Sequence, residues 1–276
     1  MGSLEGTVAL VTGAARGQGR SHAVRLAQEG ASIIAVDICD DIEAVSYQLS
    51  TPEDLKETVR LVEEQDQQID AHIADIRDYE QLAAAIEEGT AKLGPLDIVV
   101  ANAGIWAVSV EQPQERARRE LVWKDTIDVN LTGVWHTLEA TVPAMVERGA
   151  GGSIVITSST AGLKGSTAND LSLTAYTAAK HALVGLMRGY AKDLAPHMIR
   201  VNTVHPTGVA TQMNMNDVVS EYLEKRPSLM DVMANPMPVP SVDPLDISNA
   251  VLYLVADSGR YVTGVTLSVD AGFNIA

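Results

Sequence analysis

The chain of 276 residues carries one cysteine and 36 acidic against 20 basic side chains, a formal net charge of −16. That length buries a sizeable core as one large α/β domain or two small ones. A single cysteine excludes a disulfide framework or a cysteine-based zinc cluster, and the charge argues against nucleic acid or an anionic membrane as partner, since both need a basic face. Aromatics make up only 4%, with one phenylalanine, Phe273. The core must therefore be built from Ala, Val, Ile and Leu, as in sheets of buried parallel strands. No stretch approaches the roughly 18 apolar residues of a membrane span, and the first six residues lack the regions of a signal peptide. The expectation is a cytoplasmic protein.

Short apolar runs alternate with helical patterns. Thr7–Thr12 reads as a strand ending in a glycine cluster, and Gln18–Glu29 as a helix stopped by Gly30. Ala31–Asp37 is the next strand. An acidic helix from about Pro52 to Gln65 precedes a strand at Ala71–Asp75. Asp78 is a helix N-cap for a segment running to Leu93. Leu96–Ala101 is a strand, Trp123–Arg148 a long helix, and Gly149, Gly151 and Gly152 end it. Ser153–Thr157, Ile199–Val204 and Val265–Val269 complete about seven strands. This alternation predicts a doubly wound parallel sheet with right-handed crossovers and helices on both faces. No linker or repeat divides residues 1–276, so one domain is expected. Between Asp40 and Glu80 stand 13 acidic and 3 basic residues, and a solvated helical face accounts for them.

Thr12-Gly13-Ala14-Ala15-Arg16-Gly17-Gln18-Gly19 lies between the first strand and first helix. Glycines let the backbone turn tightly and approach a pyrophosphate, while a helix N-terminus offers free N–H groups and a positive dipole end. No Gly-Lys-Ser/Thr follows, which excludes a Walker-type loop. Asp37 ends the second strand, 18 residues after Gly19. A carboxylate there accepts from adenosine ribose hydroxyls and repels a 2′-phosphate, which favours NAD over NADP. Arg16 could pair with such a phosphate, but it can also turn to solvent, so Asp37 decides.

Tyr176 and Lys180 stand four apart in an Ala-rich helical stretch and share a face. A nearby ammonium stabilises a phenolate and suits the tyrosine to acid/base work. Ser158 and Ser159 close the Ser153–Thr157 strand, at the edge where doubly wound sheets place ligands.

Together the Gly-x-x-x-Gly-x-Gly turn, Asn102-Ala103-Gly104, Asn130, Ser159 and Tyr-x-x-x-Lys, in this order from about Leu4 to Phe273, resemble the classical short-chain dehydrogenase/reductases. The segments around Gly13–Cys39 and Ile127–Thr137 resemble more narrowly the mycofactocin-associated, carveol dehydrogenase-like branch. The resemblance implies a Rossmann-type fold and four catalytic residues. Tyr176 would be the general acid/base, and Lys180 would hold the nicotinamide ribose and lower the tyrosine pKa. Ser159 would bond the reacting oxygen, with Ser158 its competitor, and Asn130 would support a proton-carrying water. It also implies cofactor contacts from Gly13, Arg16, Gly17, Gln18, Gly19, Asp37, Asp75, Ile76, Asn102, Ala103, Gly104, Tyr176, Lys180, Pro206, Gly208, Val209 and Thr211. The family's Pro-Gly is stretched here to Pro206-Thr207-Gly208, and Ser159 to Tyr176 is 17 positions, about four more than usual. The extra residues, around Thr167 to Leu173, are expected to bulge over the site.

The six histidines show no metal-ligand spacing, so no metal is expected. Cys39 reads as a small near-buried residue. Met213, Met215, Met230, Met233 and Met237 fall within the segment 207–240, which in the family is the substrate lid. Thioethers there suit a bulky apolar substrate, and ordinary packing explains them nearly as well. The expected function is hydride transfer between NAD and a secondary alcohol or ketone, on an apolar, terpenoid- or steroid-like ring. The alternatives are a 3-ketoacyl-type reductase and an NAD-binding sensor or scaffold. The resemblance further implies a homotetramer, and NAD that stays bound and depends on an external redox partner.

Overall fold

The computed structural model describes residues 2–165, 169–232 and 234–275. Its strands are β1 (Val8–Thr12), β2 (Ser32–Asp37), β3 (Ile69–Ile73), β4 (Ile98–Ala101), β5 (Gly152–Thr157), β6 (Ile199–Pro206) and β7 (Thr266–Val269). They form one parallel sheet in the order β3-β2-β1-β4-β5-β6-β7. Strand order reverses between β1 and β4, and the crevice at such a switch point is where open α/β sheets bind ligands.

The helices are α1 (Gly17–Gln28), α2 (Pro52–Glu63), α3 (Tyr79–Leu93), α4 (Arg116–Ile127), α5 (Gly133–Arg148), α6 (Leu171–Leu194), α7 (Asp217–Glu224), α8 (Pro227–Val232) and α9 (Pro244–Val255). α1, α2 and α9 bury Ala, Leu, Ile and Val against one face of the sheet. α3, α5 and α6 do so against the other. The sheet's middle strands are apolar on both sides, as burial between two helix layers requires.

The single domain of parallel strands follows the expectation, and Asp78 caps α3 by accepting from Glu80 and Gln81 N–H groups. Three expectations need correction. β3 begins at Ile69 and ends at Ile73, two residues earlier than its apolar content suggests. It is an edge strand, where Asp70 accepts from His72 and Lys92 and so tolerates the sheet. The long helix begins at Arg116, because the charged run Arg116–Glu120 faces outward and hides the helix start. One enlarged turn with π-helical bonding, Asp128–Thr132, separates it into α4 and α5. Finally, the acidic segment is more than a solvated face: between β2 and α2 it is irregular and buries Ile42, Ala44, Tyr47 and Leu49.

Candidate active site

Two adjoining clefts open above the ends of β1, β4, β5 and β6. The first lies at the switch point between β1 and β4, where open α/β sheets bind their ligands. Gly13, Arg16, Gly17, Gln18, Gly19, Asp37, Asp75, Ile76, Asn102, Ala103, Gly104 and Thr211 all line it. The turn into α1 is built for close approach. Gly13 and Gly17 have φ of +68° and +56°, where side chains are strained. A Cβ on Gly19 would lie 1.9 Å from the Gly13 carbonyl oxygen. The N-cap, Arg16, makes no side-chain cap and the first turn holds no acid. The N-terminal N–H groups of α1 thus point at the cleft without an internal anion, the arrangement that receives a phosphate. The Gln18 side-chain oxygen is buried there without a protein partner. These features fit a dinucleotide.

Asp37 is 6% exposed. Its carboxylate accepts from the Ala15 N–H at 2.9 Å, the Cys39 N–H at 3.0 Å and the Ser50 hydroxyl at 2.5 Å. A carboxylate offers about four acceptor sites, so one is left to face the cleft. Arg16 does not turn to solvent: its Nη2 donates to the Gln48 carbonyl. This ties the glycine turn to the acidic segment, which itself lines the cleft with Ile38, Ile42, Tyr47, Leu49 and Ser50. Sequence reasoning missed these five. The signal was the apolar residues interrupting an acidic run.

The second cleft is lined by Ser159, Tyr176, Pro206, Gly208 and Val209, and shares Gln18 and Met213 with the first. Trp106, Leu173, Leu229 and Phe273 make it largely apolar. The two serines separate clearly. The Ser158 hydroxyl is buried and donates to the Lys180 carbonyl, whereas Ser159 lines the second cleft together with Tyr176. Lys180 is 3% exposed; its Nζ donates to the Thr157 carbonyl at 2.8 Å and stands 5.4 Å from the Tyr176 ring centre. Burial drives both groups toward neutrality. Tyr176 is pushed up to about 12 by desolvation, opposed by the nearby Ser159 hydroxyl, and Lys180 is lowered to about 7 by burial. The lowering of the tyrosine expected from a neighbouring ammonium is not found here, because desolvation dominates.

Asn130 sits in the enlarged turn, fully buried. Its amide nitrogen donates to the Ile105 and Thr126 carbonyls, and its oxygen accepts from the Ile105 N–H. The side chain thus pins the segment after β4, whose Gly104 leaves 2.8 Å between a would-be Cβ and the Asn130 oxygen.

Of the segment 207–240, α7 and α8 lie beside the second cleft, with Leu229 lining it. Among the methionines singled out, Met213 lines both clefts, while Met215 and Met237 are exposed. Met233, the Met230 side chain and Thr167 lie outside the described residues. Cys39 is half-buried at φ +47°, with its thiol pushed up to about 12 by burial and the Asp37 charge. Among the described residues no cluster of His, Cys, Asp or Glu could hold a metal ion, and no helix is long and apolar enough to cross a membrane.

A family model described as short chain dehydrogenase matches residues 7–221. The (−)-trans-carveol dehydrogenase of Rhodococcus erythropolis is 45% identical over 283 residues, covering 99% of each chain. Among solved structures, carveol dehydrogenase from Mycobacterium avium in complex with NAD superposes with a TM-score of 0.92 at 50% identity, over 100% of both chains. A short chain dehydrogenase from Mycobacterium paratuberculosis bound to NAD does so with a TM-score of 0.90 at 44% identity, again over 100% of both.

Proposed function

The chain belongs to the short chain dehydrogenases, and from that premise we propose that it is an NAD-dependent oxidoreductase acting on secondary alcohols or ketones carried by an apolar ring. One observation carries the reading: Ser159 and Tyr176 face an apolar cleft that joins the nucleotide cleft at Gln18 and Met213. Bound NAD would supply the hydride acceptor. Gly13, Arg16, Gly17, Gln18, Gly19 and Thr211 would hold its phosphates. Asp37 would take the adenosine ribose, Asp75 and Ile76 the adenine side, and Asn102, Ala103, Gly104, Pro206, Gly208 and Val209 the remainder. Tyr176 takes the alcohol proton once its own has left along the route through Lys180, and as the phenol returns it in ketone reduction, while the Ser159 hydroxyl donates to the reacting oxygen as charge develops on it. Lys180 holds the nicotinamide ribose beside Tyr176, and Asn130 supports the route by which the proton leaves. Residues 207–240 close over the substrate as a lid.

The ring substrate rests on the similarity to carveol dehydrogenases and on the apolar lining by Trp106, Leu173, Leu229 and Phe273. The test is reduction of NAD, read as NADH absorbance both in a single turnover of the enzyme with its bound NAD and with added NAD, on a panel of cyclic secondary alcohols, carveol included, with the wild type and Tyr176→Phe. Turnover that the substitution abolishes is expected. No turnover on any ring alcohol, or an equally active variant, overturns the reading.

The reading extends to a cytoplasmic homotetramer of the mycofactocin-associated branch that retains NAD and passes electrons to an external redox partner. Exposed Trp123 on α4 and Trp135 on α5 support helix packing between subunits. The apolar wall that Ile42, Tyr47 and Leu49 add to the nucleotide cleft supports retention. Native mass spectrometry reads both at once: four subunits with NAD aboard are expected, and a monomer without NAD would reject both.

A further inference from the structure

Ser159 stands just beyond β5 with extended backbone, and its own Oγ accepts from the Ala161 N–H at 3.2 Å. The β5–β6 ladder reaches the Ser158 N–H, which donates to the Val204 carbonyl. The next donor along β6 toward β5 would be Pro206, which has no N–H, so the ladder stops one residue short of Ser159. The Ser159 carbonyl accepts from the Gly162 N–H at 2.8 Å inside the turn that follows, and something on β6 must tie it back to the sheet.

A side chain does so. His205 Nδ1 lies 2.7 Å from the Ser159 carbonyl oxygen, and Nε2 lies 2.8 Å from the Thr203 Oγ1. A carbonyl can only accept, so Nδ1 carries the proton. Nε2 then accepts from the Thr203 hydroxyl. The ring is 0% exposed, and its hydrogen bonds account for both nitrogens. Burial holds it down to about 4 against the raising effect of the Ser159 carbonyl, with Lys180 and His181 of α6 adding to the lowering and Asp270 after β7 opposing it. It therefore stays neutral, with one tautomer, through the neutral and alkaline range. His205 is absent from the lining of both clefts, and of the two residues its ring bonds, Ser159 is the one that lines a cleft.

We propose that His205 is a positioning residue: its Nδ1–H takes over where the strand ladder ends and fixes the Ser159 backbone so that the serine hydroxyl meets Tyr176 and the reacting oxygen. This rests on the reading of Ser159 and Tyr176 as the reacting pair. It differs from a packing role because the shape of the ring is not what matters; the donor at the Nδ1 position is. An asparagine amide nitrogen falls near that position, and a leucine offers no donor.

The experiment compares His205→Leu and His205→Asn with the wild type, each also carrying Ser159→Ala. His205→Leu is expected to lower kcat by about 10–100-fold, the scale of a small misplacement at a reacting centre, with the NAD Kd unchanged. His205→Asn is expected to restore most of it. Ser159→Ala should cost less in the His205→Leu background than in the wild type, because the serine is already misplaced. Independently of turnover, the Tyr176 ionisation, read as the absorbance difference against Tyr176→Phe, should move upward in His205→Leu and return in His205→Asn. Two results overturn the proposal: a His205→Leu protein with wild-type kcat and tyrosine titration, or equal losses in His205→Leu and His205→Asn together with weakened NAD binding. If Ser159→Ala and Tyr176→Phe leave activity intact, the reading of the pair itself fails, which is a separate outcome.

Discussion

The Tyr222 hydroxyl donates to the Asp170 carboxylate across 2.8 Å, joining α7 to the N-cap of the helix that carries Tyr176 and Lys180. Asp170 is 3% exposed and also accepts from the Gln112 amide, the Ser172 hydroxyl and the Leu173 N–H. Tyr222 in turn meets Trp106 edge-on at 5.6 Å, and Trp106 lines the apolar cleft. One buried carboxylate therefore ties together the segment after β4, the start of α6 and the helix over the substrate cleft.

Tyr222→Phe removes one of these donors without changing the ring. The loss should destabilise the protein by about 1–3 kcal/mol, since the bond serves a buried charge. It should also raise KM for the alcohol more than it lowers kcat, because α7 loses its tether while Tyr176 stays in place. Denaturant melts and steady-state kinetics check both. Unchanged KM would show that α7 is held by packing alone.

Asp37→Ala should weaken NAD binding roughly 10–100-fold, the value of a hydrogen bond to a charged group. NADP should be affected less, so the preference for NAD falls. Ser50→Ala is the control: it frees an acceptor site on Asp37 and should keep the preference. Fluorescence titration with both cofactors measures this, and an unchanged NAD/NADP ratio in Asp37→Ala would remove Asp37 as the discriminator.

Lys180 makes stability depend on pH in a defined direction. Its pKa falls from an ordinary 10.5 to about 7 on folding, through burial. Between these values the unfolded chain holds a proton that the folded chain has released, so this site favours folding more as pH rises through the window. Below about 7 the penalty for burying the ammonium is at its full value. In Lys180→Met that dependence disappears. The melting temperature of the variant relative to wild type should be highest near pH 6 and decline steadily toward pH 10. A difference that does not vary with pH would contradict the neutral lysine.

Gly19→Ala and Gly208→Ala should behave oppositely. The first places a Cβ against the Gly13 carbonyl oxygen, so backbone must shift, at about 1–3 kcal/mol. NAD binding should fall with it. At Gly208 a Cβ meets nothing within 4 Å, and melting temperature should stay within experimental error. Thermal melts with and without NAD distinguish the two.

What could be read from the sequence was local. The turn from Gly13 to Gly19, the Asp78 cap and the pairing of Tyr176 with Lys180 each depend on residues a few positions apart, where spacing and geometry are the same thing. The Asp170 cluster depends on Gln112 and Tyr222, 58 and 52 positions away, and no periodicity connects them. His205 was weighed only as a metal ligand, because a histidine's partner is set by which strand lies beside it. The residues after Asp37 were hidden by composition: a run dominated by carboxylates still buries Ile42, Tyr47 and Leu49, since burial is decided residue by residue.

The enlarged turn at Asp128–Thr132 has a mechanical consequence. An extra residue in one turn advances the helix phase by about 100°, so α4 and α5 present faces out of step with each other. α4 packs on α6, and α5 on α3. The Asn130 amide ties this turn to the Thr126 carbonyl and to Ile105 after β4. A substitution there invites the chain to wind back into a regular helix, which would rotate everything downstream to Arg148. Asn130 is thus a phase lock between two packing surfaces, and a variant lacking its amide would disturb contacts far from the chemistry before it disturbed any proton.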